Sequence, residues 1–357
     1  MWGDPVGDGA SRTLTSMPLL YNKLMTLTQT AILTKQIITI SIFAVILGLA
    51  SFIGYKIWYA YYLAHLPPVE EKPDTKFGLL PPPNFPESNV STSNFSYALD
   101  TVTGGLPKVG QEADFEKIHK VYFVVQSFAT LLSAEKSQAL AEKFGITTLP
   151  QILSETKYEF KDQGKTLNVD LDTGNFSYIK EATISGSETL DDDNKLIGGF
   201  KNSLANLNLL KDDLKNGRTK ITPLARAAQI SIWPAAIDKK MIFTDDFNKA
   251  LVNAVIIKGA DQLENYLSLN FIYFTIDTTT FATYPIKTAE QAFDDLKSGK
   301  GVVIAEPNKP QVSITSVYMG YFLGESYSPY LQPIFVFEGP HFVAYVSAIT
   351  EQFVTSK

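Results

Sequence analysis

Three histidines and no cysteine occur among 357 residues, so metal and nucleophilic chemistry have a short inventory to draw on. His65, His119 and His341 show neither the H-x-x-x-H nor the H-E-x-x-H spacing that sets two imidazoles on one helical face, and a zinc site here would need carboxylates to complete its tetrahedron. His65 lies beside a long apolar segment, and His119 and His341 are expected at strand ends, partly exposed. Asp191-Asp192-Asp193 offers a run of carboxylates. A calcium loop, however, alternates its oxygens and needs Gly at its sixth position and Glu at its twelfth, so the run suits the positive N-terminal end of a helix instead. Asp170 and Asp172 share one side of a strand, where they would hold a cation, share a proton or form a solvated hairpin end. Serine chemistry has no G-x-S-x-G elbow to stand on. Neither Gly198-Gly199 nor Gly299-Lys300-Gly301 has the spacing of a phosphate-binding loop. The expectation is a chain with no catalytic residue, no metal centre and no cofactor, and hence not an enzyme.

The surrounding elements give these residues their place. Gln36 to Tyr55 is twenty residues without a charge, enough to cross a ~30 Å hydrocarbon layer at ~1.5 Å per residue. Tyr55, Lys56, Trp58, Tyr59, Tyr61 and Tyr62 close the segment as an aromatic girdle for the headgroup layer, with a lysine able to snorkel. Arg12, Lys23 and Lys35 precede it, a positive excess that predicts a cytoplasmic N-terminus and an exported body. Ala44, Gly48 and Ser51 fall on one helical face with the small-residue spacing that lets two such helices pack as a homodimer. The expected order is a cytoplasmic segment over 1–35, a single-pass signal-anchor helix with its aromatic flank over 36–63, a stalk over 64–92, a first α+β module over 93–183 and further modules over 184–357. The stalk expectation rests on the prolines between Leu66 and Pro86, which favour extended chain and remove hydrogen-bond donors.

Without cysteine the body gains nothing from disulfides, so burial must hold it together, and 45% hydrophobic content suffices for one large core or two ordinary ones. The first 66 residues hold four of the 31 basic and two of the 37 acidic residues, leaving the remainder at a formal net of −8. That balance argues against nucleic acid or anionic lipid as principal partner.

Local grammar in the body alternates hairpins with single helices. Lys157–Phe160 and Leu167–Leu171 alternate as strands around the turn Asp162-Gln163-Gly164. A helix is expected from Ser133 to a stop at Gly145, and another from Asp191 to Leu210. Thr288 and Gln291 form a capping box, Ala292, Phe293 and Leu296 the apolar face behind it, and Gly299 the stop. Further strands are expected at 94–99, 121–125, 229–233, 250–257, 270–276, 313–322, 332–338 and 342–349. The pattern predicts an α+β fold, antiparallel sheets with helices packed on one face.

The C-terminal third, YPIKTAEQAFDDLKSGKGVVI followed by VYMGYFLG and YLQPIFVFEGPHFVAYVSAI, resembles the membrane-anchored YycH/YycI-type regulatory proteins of bacterial cell-wall signalling. Ala289, Ala292 and Leu296 match the family's helix, Val317 to Tyr321 its first strand, Pro333-Ile334-Phe335 its second and Val343 to Ile349 its last. Phe335 stands where the family has Trp. The hairpin KTLNVDLDTGNFSY is similar to that of PepSY domains. These resemblances imply repeated modules and a sensory, inhibitory or adaptor ectodomain without enzymatic activity.

Tyr318, Tyr321, Phe322, Tyr327 and Tyr330 cluster around Gly324-Glu325-Ser326. They are expected either as a partner-binding surface or as core residues of a sheet and its turn. The resulting expectation is a membrane-anchored extracytoplasmic binding protein, regulatory or adaptor in role, with an envelope protein as partner. The alternatives are a structural or assembly subunit of an envelope, secretion or pilus complex, and an extracytoplasmic hydrolase.

Overall fold

The computed structural model of the chain describes residues 27–64, 72–101, 104–109, 117–181 and 190–355. The expectations for Arg12, Lys23, His65 and the first prolines after Leu66 lie outside these. Two compact units result, one up to Glu70 and one from Glu71 onward. The described residues of the first form a helix, α1 (Leu27–Ala64), about 57 Å long at 1.5 Å per residue. Its stretch Thr30–Leu63 is long and apolar enough to cross a membrane, and none of it is buried within the chain. The helix starts nine residues before the expected span. Thr34 and Thr39 keep their hydroxyls satisfied within it by donating to Thr30 O and Lys35 O, each at 2.8 Å. At its other end Tyr55 stacks on Tyr59 and Trp58 on Tyr62, with ring centroids 6.0 and 5.7 Å apart.

The second unit is α+β. Its first part holds β1 (Ser96–Leu99), β2 (Ile118–Val124), α2 (Ser133–Lys143), β3 (Gln151–Ile152), β4 (Lys157–Asp162), β5 (Lys165–Asp170), β6 (Phe176–Lys180), α3 (Asp193–Asn206), α4 (Asp212–Lys215), β7 (Thr219–Pro223) and β8 (Ala228–Ile232). There follow β9 (Ile242–Phe243), β10 (Val252–Ile256), β11 (Tyr266–Phe271), β12 (Ile276–Pro285), α5 (Ala289–Lys297), β13 (Val302–Ala305), β14 (Gln311–Ile314), β15 (Ser316–Phe322), β16 (Tyr330–Gly339) and β17 (Phe342–Ser347).

One antiparallel sheet of eight strands runs β3-β4-β5-β6-β11-β10-β8-β7. Side chains alternate across a strand, and Phe160, Leu167, Val169, Phe176 and Tyr178 point to the face on which α2 and α3 pack through Ala141, Phe144, Leu196, Phe200 and Leu204. Asp192 caps α3 by accepting from Lys195 N at 3.1 Å. Gln163 and Gly164 make the tight β4–β5 turn, both at positive φ. The β6–β11 pairing, Phe176 against Phe271 through Ile179 against Ser268, joins residues expected in separate modules. The boundary at 183/184 therefore does not separate two folded bodies.

The other half is built around β16. One edge of β16 pairs with β15; the other pairs first with β2 and then with β17. β12 extends this sheet beyond β2, and β9 joins β15 in parallel. Helix α5, closed by the Thr288–Gln291 capping box, buries Ala289, Ala292 and Leu296 against Phe335, Phe337 and Phe342. Gly320 lies so close to the Phe243 ring that a Cβ there would collide with it.

The expected stalk is not free over 72–92. Leu80 has no exposed surface and sits in the core with Tyr284 and Ile349. Leu80 N donates to Phe353 O at 2.8 Å and Thr355 N to Leu80 O at 2.8 Å. Phe77 stacks on Tyr330 and Phe85 meets Phe322 edge-on, both at 4.9 Å. Pro81 O accepts from Gln332 Nε2 at 2.8 Å. Proline removes donors but leaves every carbonyl and flanking side chain available, so a proline-rich strap packs without forming regular structure.

Candidate functional site

Three clefts bear on function. The first lies over the face of β4–β6 turned away from the helices, where Asn168, Asp170 and Ser177 project. The loop Glu325–Tyr327 faces it, and together they enclose about 560 Å³ floored by Ile272 and Phe274. That loop is held in place: Glu325 N donates to Asp245 Oδ2 at 2.5 Å and Tyr327 Oη to Val124 O at 3.0 Å. Burial pushes the Asp245 carboxyl up, against the bond from Glu325 N that lowers it. Apolar floor and amide rim together suit a polypeptide side chain better than a small charged molecule.

A second cleft, about 460 Å³, is lined by Lys211, Asp212, Asp213, Ile237 and Tyr273. Tyr273 Oη donates to Asp213 at 3.1 Å from each carboxylate oxygen, and Leu214 N donates to Oδ1 at 2.9 Å. Burial raises the Asp213 pKa, with the bonds from Tyr273 and Leu214 opposing it. A carboxylate so engaged is held in position rather than left open to a substrate.

The third cleft, about 580 Å³, lies between α2, the turn Asp170–Gly174 and Leu207–Leu209. It contains a spacing that the inventory of chemistry passed over, Ser133-Ala134-Glu135-Lys136, the S-x-x-K of serine–lysine hydrolases. Ser133 Oγ accepts from Thr130 N at 2.9 Å, and Lys136 is exposed to solvent, whereas a lysine base works desolvated. The arrangement is that of a helix start.

The sequence-derived candidates fall elsewhere than expected. Asp170 and Asp172 do not pair: Asp170 Oδ1 accepts from Asp172 N and Thr173 N at 3.0 and 3.1 Å, while Asp172 Oδ1 accepts from Ala129 N at 2.9 Å. His341 turns the chain between β16 and β17, exposed. His119 departs from the expectation of partial exposure. It lies on β2, flanked by β12 and β16 in the sheet, and is 4% exposed. Its Nδ1 is 3.2 Å from Tyr321 Oη. Beside it Tyr122 Oη donates to Asp238 Oδ2 at 2.5 Å, and Lys120 Nζ lies 3.2 Å from the same carboxylate. Burial would raise Asp238, but the bonds from Tyr122 and Lys120 outweigh it and hold the carboxyl below its usual range. Among the described residues no three His, Asp or Glu side chains converge to hold a metal ion.

The five aromatic residues expected as one surface are split among three cores. Tyr321 and Phe322 are buried on opposite sides of β15. Tyr318 lies against Phe243 at 5.8 Å, and Tyr330 packs under Phe77. Both faces of β15 are covered, so adjacent aromatics there point into two interiors. Tyr327 alone of the five lines the open sheet-face cleft.

No family model matches the chain, and no curated protein does. A crystal structure of an uncharacterised protein from Eubacterium rectale is similar at 11% identity, covering 66% of this chain and 84% of that one, with a TM-score of 0.30.

Proposed function

We propose that the chain is a single-pass membrane protein, N-terminus cytoplasmic, whose acidic α+β body binds another envelope protein in a regulatory or adaptor role and catalyses nothing. The carrying observation is the sheet-face cleft, an apolar floor of Ile272 and Phe274 rimmed by Asn168, Ser177 and Ser326, with bonds that fix its far wall. The exposed aromatic flank of α1 and the excess of basic residues ahead of the span support the topology. The resemblance to YycH/YycI-type proteins supports the regulatory role. A helix pair through Ala44, Gly48 and Ser51, residues spaced for close helix packing, would make the anchor dimeric. The test is co-purification of the full chain from membranes, compared with Ser326→Trp, which fills the cleft. A polypeptide retained by the parent and lost from the variant is expected; identical retained sets would sink the proposal. Protease added outside intact cells should cut the body, and full protection would reverse the topology.

A further inference from the structure

Two stretches of the body, Val121–Ala134 and Gly145–Ser154, contain no charged residue and yet run out to the surface. The uncharged stretches that hold β11 and β16 are core strands. Here they end in loops that expose large apolar side chains: Leu131 completely, Leu149 at 85%, Phe128 at 67%, Ile152 at 66% and Leu132 and Leu153 at just over half. The loops are pinned rather than loose. Ala129 N donates to Asp172, Ser133 N to Thr130 O at 2.9 Å, Thr148 Oγ1 to Lys161 O at 2.8 Å, and Leu171 N to Thr156 O at 2.7 Å. Phe128 and Leu153 flank the same turn, Asp170–Thr173, and Leu149 and Ile152 continue the apolar surface along the β3 edge.

An added strand is a poor occupant for this edge. β3 has only two residues and Pro150 precedes it, the combination by which edges are kept from pairing. A bilayer fits better. Seven residues separate the end of α1 from Lys72, and even fully extended they reach roughly 25–29 Å. Lys72 is followed by Asp74, whose N donates to Thr283 Oγ1 at 2.9 Å, and Thr283 lies opposite Lys120 on β2. From there the apolar loop begins five residues along, about 16 Å at 3.3 Å per residue. Glu135, Glu142 and Glu155 stand among Lys136, Lys143 and Lys157 around the patch, so the chemistry is apolar rather than selective for anionic headgroups.

Resting on the anchor reading, we propose that this edge is a second, peripheral membrane contact, with Phe128, Leu131, Leu132, Leu149, Ile152 and Leu153 dipping into the boundary between headgroups and acyl chains of the bilayer that α1 crosses. The absence of cysteine makes the test clean. The full chain carrying Leu131→Cys, Leu153→Cys or Leu224→Cys is labelled with nitrobenzoxadiazole and reconstituted into phosphatidylcholine vesicles containing doxyl-labelled acyl chains. Leu224 follows β7, at the opposite edge of the eight-stranded sheet, about 34 Å across seven strand spacings. Quenching by lipid is expected to be at least threefold greater at 131 and 153 than at 224, and to persist in high salt. Flotation of the vesicles separates the two readings. A chain that does not float fails as an anchor, while a chain that floats with equal quenching at all three positions overturns this proposal. Shielding of 131 and 153 from a soluble quencher without lipid quenching also overturns it, in favour of a covering protein. To separate the loop's own contact from one made by the label, Phe128→Ser with Ile152→Ser is combined with the label at 153. Quenching should fall to the level at 224, and unchanged quenching would assign the contact to the label and overturn the proposal.

Discussion

The two halves of the body handle their edges in opposite ways. In the half built on β16 the strap 72–92 and residues 349–355 close over the sheet, and Leu80, Phe77 and Phe85 fill the seams. In the eight-stranded half α2 and α3 pack on one face, but nothing among the described residues covers the β3 edge or the apolar loops beside it. Apolar surface removed from water contributes about 25 cal/mol per Å², so surface left out is stabilisation forgone unless something else covers it. The difference teaches where to look for contacts: one half is finished by its own chain, and the other is not.

The sharpest way to break this comparison is to remove core from each half. Phe200→Ala, in the α3 layer with no exposed surface, is expected to cost about 3–5 kcal/mol in urea unfolding. Leu80→Ala should cost about 2–5 kcal/mol; a loss under about 0.5 kcal/mol would return residue 80 to a solvated stalk. Thr288→Ala loses the bond that Gln291 N donates to Thr288 Oγ1, while the backbone N–H at 288 can still donate to Gln291 Oε1, and should cost about 1 kcal/mol. Asp213→Asn runs the other way. Its folded pKa is raised by burial, so its ionised form disfavours the folded state, and the variant should melt about 1–2 °C higher at pH 7. That gain should shrink as the pH falls through the raised folded pKa and vanish below the ordinary Asp value of about 4, where the parent group is protonated in both states. Smallest of all, Leu131→Ser should leave stability within about 0.5 kcal/mol of the parent; a larger loss would mean that the loop belongs to a core.

Sequence grammar was legible where it was local. The capping box at Thr288, the Gln163-Gly164 turn and the helix stop at Gly145 are all present as expected, with Gly145 at φ 69°. Legibility ended where distant pairings decide. The strand expected over 270–276 straddles a break: β11 ends at Phe271 and β12 begins at Ile276, and the threonine run that hides β12 contains the register shift between Asp277 and Phe281. Leu80 lies among prolines with no periodicity, and its burial depends on Phe353 and Val354. Of the two expectations for the aromatic cluster, surface or core, Tyr321 and Phe322 follow the core one, and a strand covered on both faces gives no alternation by which the sequence could decide between them. The sheet-face cleft was half visible, through Tyr327. Its other wall depends on β6 finding β11, which no local signal announces.

The bonds that tie the strap down also set an order in time. Asp74 and Thr283 are separated by 209 residues, and Leu80 bonds to Phe353 and Thr355. Contacts of such long range form late, and they slow folding because a large loop must close before they repay it. During synthesis at about 5–20 residues per second, the strap must wait tens of seconds for its partners to emerge. Throughout that interval the apolar seats of Phe77, Leu80 and Phe85 stand open, and the half-made protein depends on its surroundings to keep them from other chains.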